Sequence, residues 1–191
     1  MVEMNGMKGV QDEVPEYVRG EIASVLISAE KIRERIEALG REIAEDCKGK
    51  DPLLLGILTG SFVFLSDLCR EIECKHEIAF LRAKSYVGTE STGKVKLEGL
   101  ESIDISGRHV IIVEDIVDTG NTLEKLLPIL FEKKPASVEI CTLLLKETER
   151  RTKDLSVKYT AFTIPDQFVV GYGLDYDQSM RHLPFIGIFK P

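Results

Sequence analysis

The strongest constraint on this chain is the run Val110-Ile111-Ile112-Val113, four apolar β-branched residues that lead directly into Glu114 and Asp115 and then into Asp118-Thr119-Gly120-Asn121-Thr122. An apolar run without polar alternation is what a parallel strand covered on both faces requires. The fold expected is therefore α/β, with the acids at the carboxyl end of a central strand. In open α/β sheets that edge binds ligands. A helical pattern starting near Asn121 or Thr122 would turn its unpaired backbone amides into the same crevice. Gly120 supplies the freedom that so short a turn needs.

Amides at a helix start, with the hydroxyls of Thr119 and Thr122 and the amide of Asn121, suit one phosphate group held between Asp118 and Thr122. Glu114 and Asp115 cannot bind phosphate. Adjacent carboxylates instead accept hydrogen bonds from vicinal sugar hydroxyls or hold a hydrated divalent cation. An ordinary helix cap at Asp118 would explain one acid, not three at a ligand-binding edge. The triphosphate loop pattern is absent, because Asn121 follows Gly120 where lysine would stand. Gly171-Tyr172-Gly173 does not extend to a dinucleotide fingerprint.

Four further segments accompany the acidic turn: Leu58-Thr59-Gly60-Ser61, Ser85-Tyr86, Lys146 after an apolar strand, and the stretch from Pro165 to Tyr176. With Glu114 to Thr122 they resemble, in order and over about residues 24 to 189, the type I phosphoribosyltransferases. Lys146 and the Phe168 to Asp175 stretch narrow the resemblance to the hypoxanthine-guanine phosphoribosyltransferase family. Thr59 and Ser61 resemble its bacterial branch, without the lysine and glycine of the human-type branch.

The resemblance implies a twisted parallel sheet with helices on both faces and a small hood, in one domain spanning 1–191. Its core would cover about 48–165, and its hood about 20–30 and 166–191. It implies transfer of ribose 5-phosphate from phosphoribosyl pyrophosphate (PRPP) to N9 of a 6-oxopurine, hypoxanthine or guanine, with Mg2+ and release of pyrophosphate. Glu114 and Asp115 would take the ribose hydroxyls or the metal, and Asp118 to Thr122 the 5′-phosphate, with Asp118 also the general base. Thr59, Gly60 and Arg181 would meet pyrophosphate, and the Leu58-Thr59 peptide can be cis. Lys146 would donate to the 6-oxo group, Phe168 would stack on the base, and the Val169 backbone would read its edge. Asp175 would lie beside the purine and reach magnesium through water. Ser85 and Tyr86 would sit on a lid formed by Lys84 to Lys96. The resemblance also implies a homodimer or homotetramer. Two alternatives stay open: a PRPP- or nucleotide-sensing protein of the same fold, and a transferase preferring xanthine.

Composition agrees. At 191 residues and 43% hydrophobic content, one domain can bury a full core. The net charge of −7 requires local cations to attract a polyanionic substrate. Basic residues such as Arg33, Arg35, Arg150 and Arg151 are interleaved with acids, so no nucleic-acid face is expected. No apolar stretch has membrane-spanning length, so no membrane partner is expected. The polar, acidic stretch from Met1 to Arg19 is no secretion signal and is expected to be partly disordered. Cys47, Cys69, Cys74 and Cys141 lack metal-site spacing and read as reduced, mostly buried thiols of a cytoplasmic protein. Phe189-Lys190-Pro191 is not a peroxisomal tripeptide.

Helices are expected from Ala29 to Cys47, capped by Ser28, and from Phe62 to Ile72, with strands over Pro52 to Leu58, His76 to Ala83 and Val138 to Leu145.

Overall fold

The computed structural model describes residues 14–85, 95–149 and 155–190. Strand β1 (Ile22–Ile27) leads into helix α1 (Ala29–Asp46). Ser28 caps that helix by accepting from the Lys31 amide at 3.3 Å, and Ile32, Ile36, Leu39 and Ile43 bury one face at helical spacing. There follow β2 (Leu53–Leu58), α2 (Phe62–Glu71), β3 (Glu77–Ser85), β4 (Val95–Glu98) and β5 (His109–Val117). Next come α3 (Asn121–Glu132), β6 (Ser137–Glu147), β7 (Tyr159–Pro165), β8 (Val169–Val170) and β9 (Ile186–Phe189).

The main sheet has the order β4-β3-β2-β5-β6-β7. Its central strand β5 pairs in parallel with β2 and β6, and Val110 to Val113 are buried throughout. Two apolar layers cover it. Residues of α1 and α2, among them Ile36, Leu39, Phe64 and Leu68, pack with Ile111 and Val113 on one face. Leu123, Leu126 and Leu130 of α3 pack with Val110 and Ile112 on the other. Each such side chain contributes about 1.5–3 kcal/mol when fully buried. The outer strand β7 has its backbone covered by Arg35, which donates to the carbonyls of Thr160 at 2.7 Å and Ala161 at 3.1 Å.

A smaller antiparallel sheet, β1-β9-β8, forms the hood. Its interior holds Val18, Ile22, Val170, Met180, Leu183 and Phe185.

The sheet is mostly parallel, as expected, with β4 antiparallel to β3 at one edge, pairing Lys84 with Lys96 and Ser85 with Val95. Two expectations need correction. Both ends of the expected Lys84 to Lys96 loop are therefore strand, held by ladder hydrogen bonds that local composition does not reveal. Of the stretch expected to be partly disordered, residues 1–13 lie outside the described residues, whereas a short 3-10 helix at Glu16–Val18 places Val18 in the hood interior. Finally, β6 continues through Lys146 to Glu147, paired with β7 to the end. Among the described residues no helix is long and apolar enough to cross a membrane.

Candidate active site

Four chain segments leave the carboxyl edge of the main sheet side by side. After β2, the turn Thr59-Gly60-Ser61 follows a cis Leu58-Thr59 peptide, one of the two forms the resemblance allowed. Ser61 is fully buried, and its hydroxyl donates to the Ile57 carbonyl at 2.6 Å. That hydroxyl is thus spent inward, and the helix start it precedes has no side-chain cap. Gly60 is required by a close approach: a Cβ there would lie 1.6 Å from Asp115 Oδ2. The turn after β2 and the acidic pair of β5 are therefore in direct contact.

After β5, Asp118 to Thr122 form a separate small cavity of about 110 Å³, lined also by Glu114 and Leu123. Gly120 adopts φ 83° and precedes α3, whose first turn also lacks a side-chain cap. The Asn121 amide points to Thr119 Oγ1 at 3.5 Å. A phosphate-sized anion fits this geometry, since Asn121, Thr122 and Leu123 of the uncapped helix start line the cavity.

Glu114 is only 7% exposed, and burial, reinforced by the adjacent Asp115, raises its carboxyl well above the ordinary range. Burial also raises Asp115, partly offset by backbone amides and by Arg181. Two desolvated carboxylates are the donor set a hard divalent cation takes. Among the described residues no three His, Cys, Asp or Glu side chains converge into a metal cage. The expected trio of Glu114, Asp115 and Asp175 is therefore not preassembled. Asp175 is engaged elsewhere, with Oδ1 at 2.8 Å from Arg181 Nη2 and Oδ2 accepting from the Gln178 amide at 2.8 Å. Glu114 and Asp115 still fit an ion that draws its other ligands from substrate and water, as magnesium does.

Lys146 is 9% exposed and stands between two carboxylates, 3.5 Å from Asp118 Oδ2 and 3.3 Å from Asp166 Oδ1. Parallel register produces this. Val117 pairs with Leu145, and Lys146 pairs with Ile164, so Asp118, Lys146 and Asp166 emerge together from three adjacent strands. Phe168 is 54% exposed, a large ring left open to solvent at the site. Phe189 and Tyr176 back it edge-on, with centroids 5.6 Å and 6.1 Å away. The Phe168 carbonyl accepts from the Phe189 amide, so the backbone groups of Val169 point the opposite way, off the free edge of β8. Val169's own side chain is buried.

Arg181 also donates to the Gly173 carbonyl at 2.7 Å. Gly173 has φ 101°, and a Cβ on it would lie 2.1 Å from the Gly60 carbonyl, so the Gly173 to Arg181 loop rests on the β2 turn. The structure thus brings together Thr59, Gly60, Glu114, Asp115, Asp118 to Thr122, Lys146, Phe168, Val169, Asp175 and Arg181 around one edge. Ser85 lies in β3, and Tyr86 lies outside the described residues. Three neighbours escaped the sequence reading: Asp166 beside Lys146, and Tyr176 and Phe189 behind Phe168. The aromatic and β-branched run Tyr159 to Ile164, ended by Pro165, would have marked β7 and its terminal acid.

The four thiols are free, Cys47 and Cys141 buried and Cys69 and Cys74 half-buried.

A family model described as "Phosphoribosyl transferase domain" matches residues 26–177. The chain is 49% identical over 166 residues to the hypoxanthine phosphoribosyltransferase of Escherichia coli (strain K12), covering 85% of this chain and 93% of that protein. It is 44% identical over 174 residues to the hypoxanthine-guanine phosphoribosyltransferase of Streptococcus pneumoniae (strain ATCC BAA-255 / R6), covering 91% and 96%. A crystal structure of a hypoxanthine phosphoribosyltransferase from Staphylococcus aureus matches with a TM-score of 0.85 at 41% identity, covering 94% of this chain and 97% of that one. The carboxyl-edge acids, the phosphate-sized cavity and the paired Lys146 and Asp118 thus sit in a chain that belongs to the phosphoribosyltransferase family and, within it, to the hypoxanthine-guanine phosphoribosyltransferase enzymes.

Proposed function

We propose that this enzyme transfers ribose 5-phosphate from PRPP to N9 of hypoxanthine or guanine, forming the nucleoside monophosphate and pyrophosphate. The observation that carries this reading is the triplet Asp118, Lys146 and Asp166 beside the phosphate-sized cavity. A buried ammonium at the carboxyl edge, held by Asp118 and Asp166, suits a 6-oxo acceptor, whereas the 6-amino group of adenine would meet it as a second donor. The N9–C1′ bond forms as the C1′–pyrophosphate bond breaks with inversion, and one purine ring proton leaves to Asp118 as general base.

As the sugar gains oxocarbenium character, Arg181 and the amides of Thr59 and Gly60 stabilise the leaving pyrophosphate. Glu114 and Asp115 accept the ribose hydroxyls or hold the metal, and the Asp118 to Thr122 loop anchors the 5′-phosphate. Magnesium, when bound, supplies charge neutralisation on the pyrophosphate oxygens. Ser85 and Tyr86 would, by the family resemblance, shield the reacting carbon from water during transfer. We further place the enzyme in the cytoplasm as a homodimer or homotetramer, with no membrane or nucleic-acid partner. Free thiols and the mixed surface charge support the first and last of these.

Steady-state turnover with PRPP and magnesium, compared across hypoxanthine, guanine, xanthine and adenine, tests the reading. Turnover of hypoxanthine or guanine with adenine rejected is expected. PRPP binding without turnover of any base, or preference for adenine, would overturn it.

A further inference from the structure

Gly171-Tyr172-Gly173 fits no nucleotide fingerprint, yet all three residues adopt positive φ, at 97°, 49° and 101°. For tyrosine this conformation is unfavourable and persists only when its surroundings enforce it. Here they do. Tyr172 is 6% exposed, and its amide donates to the Leu183 carbonyl at 2.8 Å. Its hydroxyl donates to Asp67 Oδ2 on α2 at 2.5 Å. Burial and Asp67 both push the phenol upward, so it remains a neutral donor.

Asp67 lies one turn into the helix that begins right after Thr59-Gly60-Ser61. On the other side of Tyr172, Gly173 rests on the Gly60 carbonyl, accepts from Arg181 Nη1 and donates its amide to the Arg181 carbonyl at 2.9 Å. Thus the helix that starts from the β2 turn and the segment that enters the Arg181 loop are joined by a side-chain hydrogen bond, beside the direct packing of Gly173 on Gly60.

We infer that Tyr172 is a positioning residue for pyrophosphate, its bond to Asp67 fixing the Arg181 loop against the Thr59-Gly60 turn. This rests on the proposed assignment of Gly60 and Arg181 to the leaving group. The purine contact Lys146 lies on a different strand, whereas Asp175 shares the Arg181 loop and Tyr176 backs Phe168, so the strut acts first on pyrophosphate and only weakly on the purine. Asp67 also pairs with Arg70 through Oδ1, but that pair is solvent-exposed and contributes little.

The test uses Tyr172→Phe, Asp67→Ala and Asp67→Asn in the full-length enzyme, with KM for PRPP and for hypoxanthine measured separately, and pyrophosphate affinity in the presence of magnesium measured by calorimetry. Tyr172→Phe and Asp67→Ala should each raise KM for PRPP and weaken pyrophosphate by about tenfold, leaving KM for hypoxanthine within about twofold. Asp67→Asn keeps the acceptor and should restore near wild-type values. The double variant Tyr172→Phe/Asp67→Ala should be no worse than either single change. A lower melting temperature with both KM values unchanged would overturn the inference, as would equal increases in both. Absence of wild-type turnover and of pyrophosphate binding would instead reject the parent assignment, and the strut with it.

Discussion

Lys146 and Asp118 each stand one residue beyond a paired couple, Leu145 and Val117, on neighbouring parallel strands, which sets the ammonium 3.5 Å from Asp118 Oδ2. Their spacing is a property of the sheet, not of two flexible side chains meeting by chance. The group proposed to select the 6-oxo oxygen and the group proposed to take the purine proton are therefore held in a fixed relation.

Lys146→Met keeps the buried stem and removes the charge. KM for hypoxanthine should rise by about 10- to 100-fold, the loss of a charge-assisted hydrogen bond, while KM for PRPP stays within about threefold. Parallel saturation curves for the two substrates check this; an equal rise in both would contradict the assignment.

Phe168→Ala removes the exposed ring that Phe189 and Tyr176 support. Base stacking on an aromatic side chain is worth about 1–3 kcal/mol, so affinity for hypoxanthine and guanine should fall by about 5- to 150-fold, alike for both bases. Calorimetric titration of hypoxanthine and guanine onto the enzyme in the presence of pyrophosphate and magnesium reads the effect.

Glu114 links stability to pH. Because its folded-state pKa is raised, the folded protein binds more protons than the unfolded chain above the ordinary value of 4.5, and stability falls as pH climbs through the raised pKa. Glu114→Gln removes that cost. In the absence of substrate it should melt higher than wild type at about pH 8, by about 2–4 °C for each kcal/mol regained, with the gap closing near pH 4.5. The same change should weaken PRPP, not free purine. Thermal melts at both pH values, with and without PRPP, test both halves.

Gly60→Ala puts a methyl group onto the Asp115 carboxylate. Either the turn or Asp115 must move, and KM for PRPP should rise by about tenfold or more with little effect on purine. Kinetics on the purified, folded variant decide it.

Much of this was legible because α/β sheets write their sites at strand ends. The apolar run Val110 to Val113 identified β5, though the strand runs on to Val117 and carries Glu114 and Asp115 within its last four residues instead of beyond its end; Ser28 with the Ile32, Ile36, Leu39, Ile43 spacing identified α1. What local sequence lacks is register. Nothing near Asp166 announces Lys146, because their 3.3 Å contact exists only through the pairing of β6 with β7. Likewise β4 and the ends of the expected lid depended on cross-strand pairing, and Tyr172 disclosed its role only through Asp67, far away in sequence. The two-residue strand β8 is too short to show a period.

The most direct measurement is the turnover number of Asp118→Asn on hypoxanthine at saturating PRPP. Loss of the general base should lower kcat by about 10²- to 10⁴-fold, with KM for PRPP changed by less than about fivefold. A kcat within about threefold of wild type would remove Asp118 from the proton transfer and with it the central claim for the Asp118 and Lys146 pair.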